Sequence, residues 1–334
     1  MKELYMVLTA ILAFFITSIS GRWLIPWLKK LSFGQTILDI GPRWHKSKEG
    51  TPTMGGILFI PAIVVCCAVG FFVLLWTGDL QQGPAVNFSL WGGVLMALGF
   101  GLIGFLDDYI KVVKKRNLGL TEKEKLILQI LVAAVYLLVG TLTGGLTTVM
   151  IVPFFGPVDF GWFFYPAAIF LIVGFVNAVN LTDGIDGLCS TATLVFAVTG
   201  MLISAFISNL GGQILSVALA GGCMGFLVWN FHPAKVFMGD TGSLFLGGMV
   251  CAIAFSMGMP IFLLLMGILY VIETGSVILQ VLAVKTIKRR IFKMTPIHHS
   301  FEMSGYSEIK IVLLFSLIQL VGCVVAALGY YFAM

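Results

Sequence analysis

Apolar residues run in long blocks along this chain, separated by short polar gaps. Ten blocks stand out, at about 4–27, 56–76, 90–106, 126–143, 162–180, 191–208, 213–229, 243–258, 261–282 and 309–330. A helix that crosses a bilayer uses roughly 20 apolar residues, so each block predicts one spanning helix. The third and eighth are short and predict upright helices; the ninth is long enough to tilt. Gly258-Met259-Pro260 parts the eighth from the ninth, because proline breaks a helix. Thr121-Glu-Lys-Glu124 reads as a capping box opening the fourth. Residues 147–160 alternate weakly around Gly156-Pro157 and predict a small external β-hairpin. With no repeat or low-complexity tract, residues 1–334 read as one all-α polytopic membrane domain.

Composition agrees. Of the 334 residues 59% are hydrophobic and 10% charged, against about 45–50% and about 25% in soluble domains. Too little charge remains to cover a water-facing surface, and disorder is excluded by the same numbers. The net charge of +5 comes with no basic run interleaved with aromatics, so nucleic acid is not an expected partner. The six cysteines form no C-x-x-C pair and read as small hydrophobes.

Placement of charge says more than its sum. Nineteen of the 20 lysines and arginines lie in or beside the gaps after blocks one, three, five, seven and nine. The other gaps carry none, so the positive-inside rule predicts five cytoplasmic loops and both termini outside. Lys2 and Glu3 precede the first block while Arg22, Lys29 and Lys30 follow it, which reads as a retained span and not a leader.

Five carboxylates fall at the predicted cytoplasmic ends of apolar blocks: Asp107 and Asp108, Asp183 and Asp186, and Asp240. Adjacent acids near a helix C-terminus oppose the helix dipole, and residues set against local stability are candidates for function. Ordinary readings exist for each: a solvated helix end, an Asx-rich turn, an N-cap. Gathered at one membrane face, the five would repel each other unless a cation joined them. An oxygen-only set suggests Mg²⁺ with substrate phosphates, and Lys48, Lys111, Lys115 and Lys123 stand near as phosphate partners or as topogenic charges. Gly99-Phe-Gly101-Leu-Ile-Gly104 matches a dinucleotide fingerprint but lies inside an apolar block, as does the Gly221/Gly225 pair; both read as close helix packing. Glu273, in mid-span, is either functional or hydrogen-bonded to a neighbouring helix.

The motifs together resemble a known family. They are His45-Lys-Ser-Lys48-Glu-Gly-Thr-Pro-Thr53-Met-Gly-Gly56, Asp107-Asp108-Tyr-Ile-Lys111, Asn180-Leu-Thr-Asp183-Gly-Ile-Asp186-Gly-Leu, Phe237-Met-Gly-Asp240 and Pro296-Ile-His298-His299-Ser-Phe-Glu302. This set is similar to that of the phospho-N-acetylmuramoyl-pentapeptide transferases, within the polyprenyl-phosphate sugar-1-phosphate transferases. The likeness runs end to end. It departs at Ser300, where the family usually carries a third histidine.

The resemblance implies Mg²⁺-dependent transfer of the phospho-sugar from UDP-N-acetylmuramoyl-pentapeptide to undecaprenyl phosphate, giving lipid I and UMP. It implies a bacterial cell membrane, a cytoplasmic-face active site and a homodimer among membrane lipids. By the family pattern Asp240 would hold Mg²⁺, Asp107 would activate the acceptor and Asp108 would support metal or phosphate. Asn180, Asp183, Asp186, Asn230 and Phe237 would shape the nucleotide site. Lys48, Thr53, Lys111, Lys115, Lys123, His298 and His299 would contact phosphate or sugar. Direct attack and a covalent phospho-sugar intermediate both remain open. Two rival functions are a sister enzyme transferring N-acetylglucosamine-1-phosphate and, from Glu273 and the break near Pro260, a secondary transporter.

Overall fold

A computed structural model describes residues 2–31, 48, 50–79, 83–113 and 119–333. Its helices are α1 (Lys2–Lys30), α2 (Gly56–Trp76), α3 (Pro84–Asn87), α4 (Gly93–Val113), α5 (Glu122–Leu142), α6 (Phe164–Thr182) and α7 (Leu188–Phe206). They continue with α8 (Leu210–Asn230), α9 (Gly239–Ser256), α10 (Leu263–Met266), α11 (Ile268–Thr286), α12 (Ile297–Glu302) and α13 (Glu308–Tyr331). A π turn over Phe88–Gly92 joins α3 to α4, and the continuous span runs Pro84–Val112. Among the described residues ten helices are long and apolar enough to cross a membrane, as the ten blocks predict. The protein is a multi-pass membrane protein.

The third helix runs well past its apolar block, so Asp107 and Asp108 lie inside α4 and not beyond its end. The ninth block is broken. Helix α10 ends at Met266 and α11 begins at Ile268, with Gly267 between them, an interruption that the apolar pattern conceals. The capping box is present: Glu124 N donates to Thr121 Oγ1, and Thr121 N donates to Glu124 Oε2. Strands β1 (Val149–Val152) and β2 (Gly156–Asp159) pair antiparallel, with Pro153-Phe154-Phe155 as the turn and Gly156 already in β2.

Helices α8 and α9 form the centre, and most of their residues are buried. Small residues bring other helices close to them. Gly221 and Gly225 of α8 face the Ala10 and Phe14 carbonyls of α1. A Cβ on Gly104 of α4 would strike the carbonyl oxygen of Asp240 at the start of α9. The glycine run of α4 is therefore a packing surface, and it sets two acids of α4 beside the N-terminus of α9. All six cysteines are free and buried.

Candidate active site

Asp108 is buried and caps α9. Its Oδ2 accepts from Thr241 N at 2.9 Å and Thr241 Oγ1 at 2.7 Å, and its Oδ1 accepts from Asp240 N at 3.3 Å. A carboxylate over the free N–H groups of a helix start stabilises it by about 0.5–2 kcal/mol. Gly239 makes the approach possible: its φ is +69°, and a Cβ there would lie 2.6 Å from Asp108 Oδ2 and 2.8 Å from Thr53 Oγ1.

Asp107, one residue earlier, is buried on the neighbouring face of α4. Its Oδ1 accepts from Leu120 N at 2.8 Å. Its Oδ2 meets Lys111 Nζ at 2.5 Å, one turn on, and Lys125 Nζ at 3.3 Å. Both lysines also reach Asp240 Oδ2, Lys125 at 2.6 Å and Lys111 at 3.4 Å. Asn180 at the end of α6 donates to Asp240 Oδ1 at 2.9 Å and to Ser243 Oγ at 2.7 Å.

Asp107, Asp108 and Asp240 each offer one oxygen within 4.8 Å of the others. At such separations each charged pair repels by about 3–4 kcal/mol at an effective dielectric near 20. Two ammonium groups offset part of this; three carboxylates leave one negative charge over. The oxygen-only donor set therefore fits a hard divalent cation.

A second cluster lies around Asp186, in the turn between α6 and α7. Lys48 Nζ donates to Asp186 Oδ1 and to Glu308 Oε2, both at 2.7 Å. Asp186 Oδ2 accepts from Ala234 N at 2.9 Å and lies 3.1 Å from His232 Nδ1. Glu308 Oε2 also accepts from Asp186 N at 3.0 Å. Burial would lower the Lys48 ammonium, but hydrogen bonds and charge from Asp186 and Glu308 outweigh it and hold it above the usual lysine value.

Asp183 lies within electrostatic reach of both clusters. Burial, then the charges of Asp240, Asp108 and Asp186, push its carboxyl up to about 8. Asn230 is buried, accepting from Ser190 Oγ at 3.2 Å and donating to Val236 O at 3.0 Å, so it pins the turn that carries His232 and Ala234. The Phe237 main chain pairs with the Pro52–Gly55 segment: Phe237 N donates to Pro52 O at 2.9 Å and Gly55 N to Phe237 O at 2.8 Å. The loop bearing Thr53 thereby lies against the loop bearing Phe237.

On α12, His298 Nδ1 lies 3.1 Å from Glu273 Oε2, and His299 Nδ1 lies 2.6 Å from Glu302 Oε2. Lys123 is exposed in the first turn of α5, outside these contacts. Lys115 lies outside the described residues. Lys125, Glu308 and His232, none of them singled out in the sequence, enter the clusters. Lys125 had a usable signal: it is in phase with the buried face Gln129, Ala133, Tyr136 and Gly140 of α5, whereas Lys123 is two residues out of phase.

Residues 90–258 match the model of glycosyl transferase family 4, and residues 48–60 match phospho-N-acetylmuramoyl-pentapeptide-transferase signature 1. The phospho-N-acetylmuramoyl-pentapeptide-transferase of Halalkalibacterium halodurans is 46% identical over 334 residues, covering 99% of this chain and 98% of that protein. Those of Oceanobacillus iheyensis, at 44% identity over 98% of this chain and 97% of that protein, and of Carboxydothermus hydrogenoformans, at 45% over 97% and 98%, are similar throughout. The family-4 match contains both acids of α4, the Asn180–Asp186 turn and Asp240, and the signature contains Lys48 and Thr53. Likeness of this extent, over the residues that build both clusters, places the chain in the phospho-N-acetylmuramoyl-pentapeptide transferase family.

Proposed function

We propose that this chain transfers phospho-N-acetylmuramoyl-pentapeptide from its UDP-linked donor to undecaprenyl phosphate. The products are lipid I, for peptidoglycan synthesis, and UMP. The observation that carries the reading is the Asp107–Asp108–Asp240 cluster with Lys111 and Lys125, polar chemistry gathered at the ends of membrane spans. One substrate is a water-soluble diphosphate and the other a lipid with its phosphate at the headgroup level. A site at helix ends suits both. The positive-inside pattern supports a cytoplasmic-face site in a bacterial cell membrane. We take residues 1–334 as one transferase domain, working as a homodimer among membrane lipids.

Asp240, with Asp107 and Asp108, would hold Mg²⁺. When bound, Mg²⁺ would supply positive charge against the repulsion between two reacting phosphate groups. Lys111 and Lys125 point the same kind of charge at the same place and would stabilise the leaving phosphate of UMP. Lys48, Asp183, Asp186 and Phe237 would form the nucleotide side, with Asn180 and Asn230 holding its walls. Thr53 would face the phosphates from the Lys48–Gly56 segment. Lys115 remains a candidate phosphate contact by the family resemblance, whereas Lys123 is exposed and lies outside both clusters. His298 and His299 would meet the donor from α12.

Purified protein given donor, undecaprenyl phosphate and Mg²⁺ should form the lipid-linked product and release UMP. No product would overturn the assignment. Equal use of UDP-N-acetylglucosamine would move it to the sister reaction.

A further inference from the structure

Helix α11 is apolar on most of its surface, yet its buried face carries Glu273, Ser276 and Gln280, spaced three and four residues apart. Spacing of this kind makes one stripe along a helix. The stripe meets the segment that follows α11. Gln280 Oε1 accepts from Ile291 N at 2.9 Å and Phe292 N at 3.0 Å, and its amide donates to Phe292 O at 3.1 Å. That fills both acceptor sites of the Gln280 carbonyl and ties the returning chain to α11.

Two turns along the same face, Glu273 meets His298. Both are fully buried, with Oε2 and Nδ1 3.1 Å apart. Among the described residues, no other group hydrogen-bonds either carboxylate oxygen of Glu273 or either ring nitrogen of His298. A buried carboxylate without a partner costs several kcal/mol, and the imidazole 3.1 Å away is the group placed to answer it. The opposite edge of the ring faces the turn between α6 and α7. A Cβ on Gly184 would strike His298 Nε2, so the ring lies directly against the turn that carries Asp183 and Asp186. The next residue repeats the arrangement: His299 Nδ1 has the Glu302 carboxylate at 2.6 Å, and the two rings stand 4.2 Å apart.

We infer that Glu273 is a positioning residue for the transfer: from within α11 it holds His298 by Nδ1 and so presents Nε2 to the Asp183–Asp186 turn. A carboxylate behind an imidazole favours the tautomer with its proton on the near nitrogen and fixes the ring plane. The far nitrogen then bears on the Asp183–Asp186 turn and sets where that turn meets the donor. Glutamine at 273 would offer either an amide or a carbonyl to Nδ1, and the tautomer would no longer be set. The inference rests on the transferase reading.

The test is a double-mutant cycle on the purified enzyme with donor, undecaprenyl phosphate and Mg²⁺. E273Q should lower kcat by about 30-fold, with donor KM within about threefold, the signature of an interaction made in the transition state. E273D, which keeps the charge on a shorter arm, should recover part of that loss. In an H298A background, E273Q should cost less than about twofold more, because groups acting as a unit are not additive. A purely structural Glu273 would cost the same in both backgrounds, and that result would overturn the inference. So would near-normal turnover by E273Q. If E273Q does not elute as a single species, the same cycle run with E273D decides the matter by the same criterion. Failure of the wild-type enzyme to make lipid product would instead count against the proposed function and is read separately.

Discussion

The Asp107–Asp108–Asp240 cluster sets three carboxylates against two lysines, whereas the Asp186–Glu308 cluster sets two against Lys48 and His232. Both bring three metal-capable side chains within 4.8 Å. They differ in what is left over. Asp186 has both oxygens taken, one by Lys48 and the other by Ala234 N and His232. The first cluster offers carboxylates alone, and Asp240 keeps 20% of its side chain exposed where Asp186 keeps 2%. Proximity of acidic groups thus does not single out a cation site; an oxygen-only donor set with an exposed member does. On the proposed function the first cluster would be the place for Mg²⁺ and chemistry, and the second a preformed wall of the binding site.

The largest effect that separates them is expected from Asp240→Asn. Loss of a group that organises transition-state charge costs about 10²–10³-fold in kcat, and the folded protein should elute unchanged. Lys125→Ala should follow at about 30-fold or more, for the same reason. Near-normal turnover in Asp240→Asn would erase the distinction between the clusters. For the second cluster, Glu308→Gln should raise donor KM about tenfold and leave kcat within about threefold, since a wall residue contributes uniform binding. A fall in kcat with KM unchanged would move Glu308 into the chemistry.

Asp183 tests the charge balance from between the clusters. With its carboxyl raised to about 8, it is neutral at pH 7 without a cation. The sign follows. From the ordinary carboxylate range up to about 8 the folded chain holds a proton the unfolded chain has lost, so metal-free stability falls as pH rises. A cation nearby favours the ionised form, so divalent affinity should strengthen with pH below 8, by up to about tenfold per unit. Mn²⁺ binding followed by electron paramagnetic resonance at pH 6.5 and 8 checks this. A pH-independent affinity, or an unchanged slope in Asp183→Asn, would place the cation elsewhere.

The parts of this site legible in the sequence are those where a residue contradicts its surroundings. Asp107 and Asp108 close an apolar block and Glu273 interrupts one, and each is anomalous without any knowledge of neighbours. Glu308 is the opposite case. It follows Ser307 at the start of α13, where an acid suits the helix dipole, so local rules account for it in full and its reach to Lys48 stays hidden. His232 lies in a short polar turn and gives no signal until Asn230 and Asp186 fold around it. The break at Gly267 is concealed for a related reason: an apolar stretch reads as one helix whether or not it bends.

The smallest predicted effect is the sharpest test of helix phase. Lys123 and Lys125 share the first turn of α5 and the same charge, each next to Glu124 of the capping box, and composition cannot rank them. A helix turns about 100° per residue, so side chains two apart point about 200° from each other. Lys125 continues the buried line through Gln129, Ala133, Tyr136 and Gly140, and it reaches Asp107 and Asp240; Lys123 is exposed. Exposed charges away from such contacts change little on removal. Lys123→Ala should therefore keep kcat and donor KM within about twofold, while Lys125→Ala does not. Equal losses in the two would mean that substrate draws this end of α5 into contact on both faces, and that charge, with no regard to phase, decides which lysines serve the first cluster.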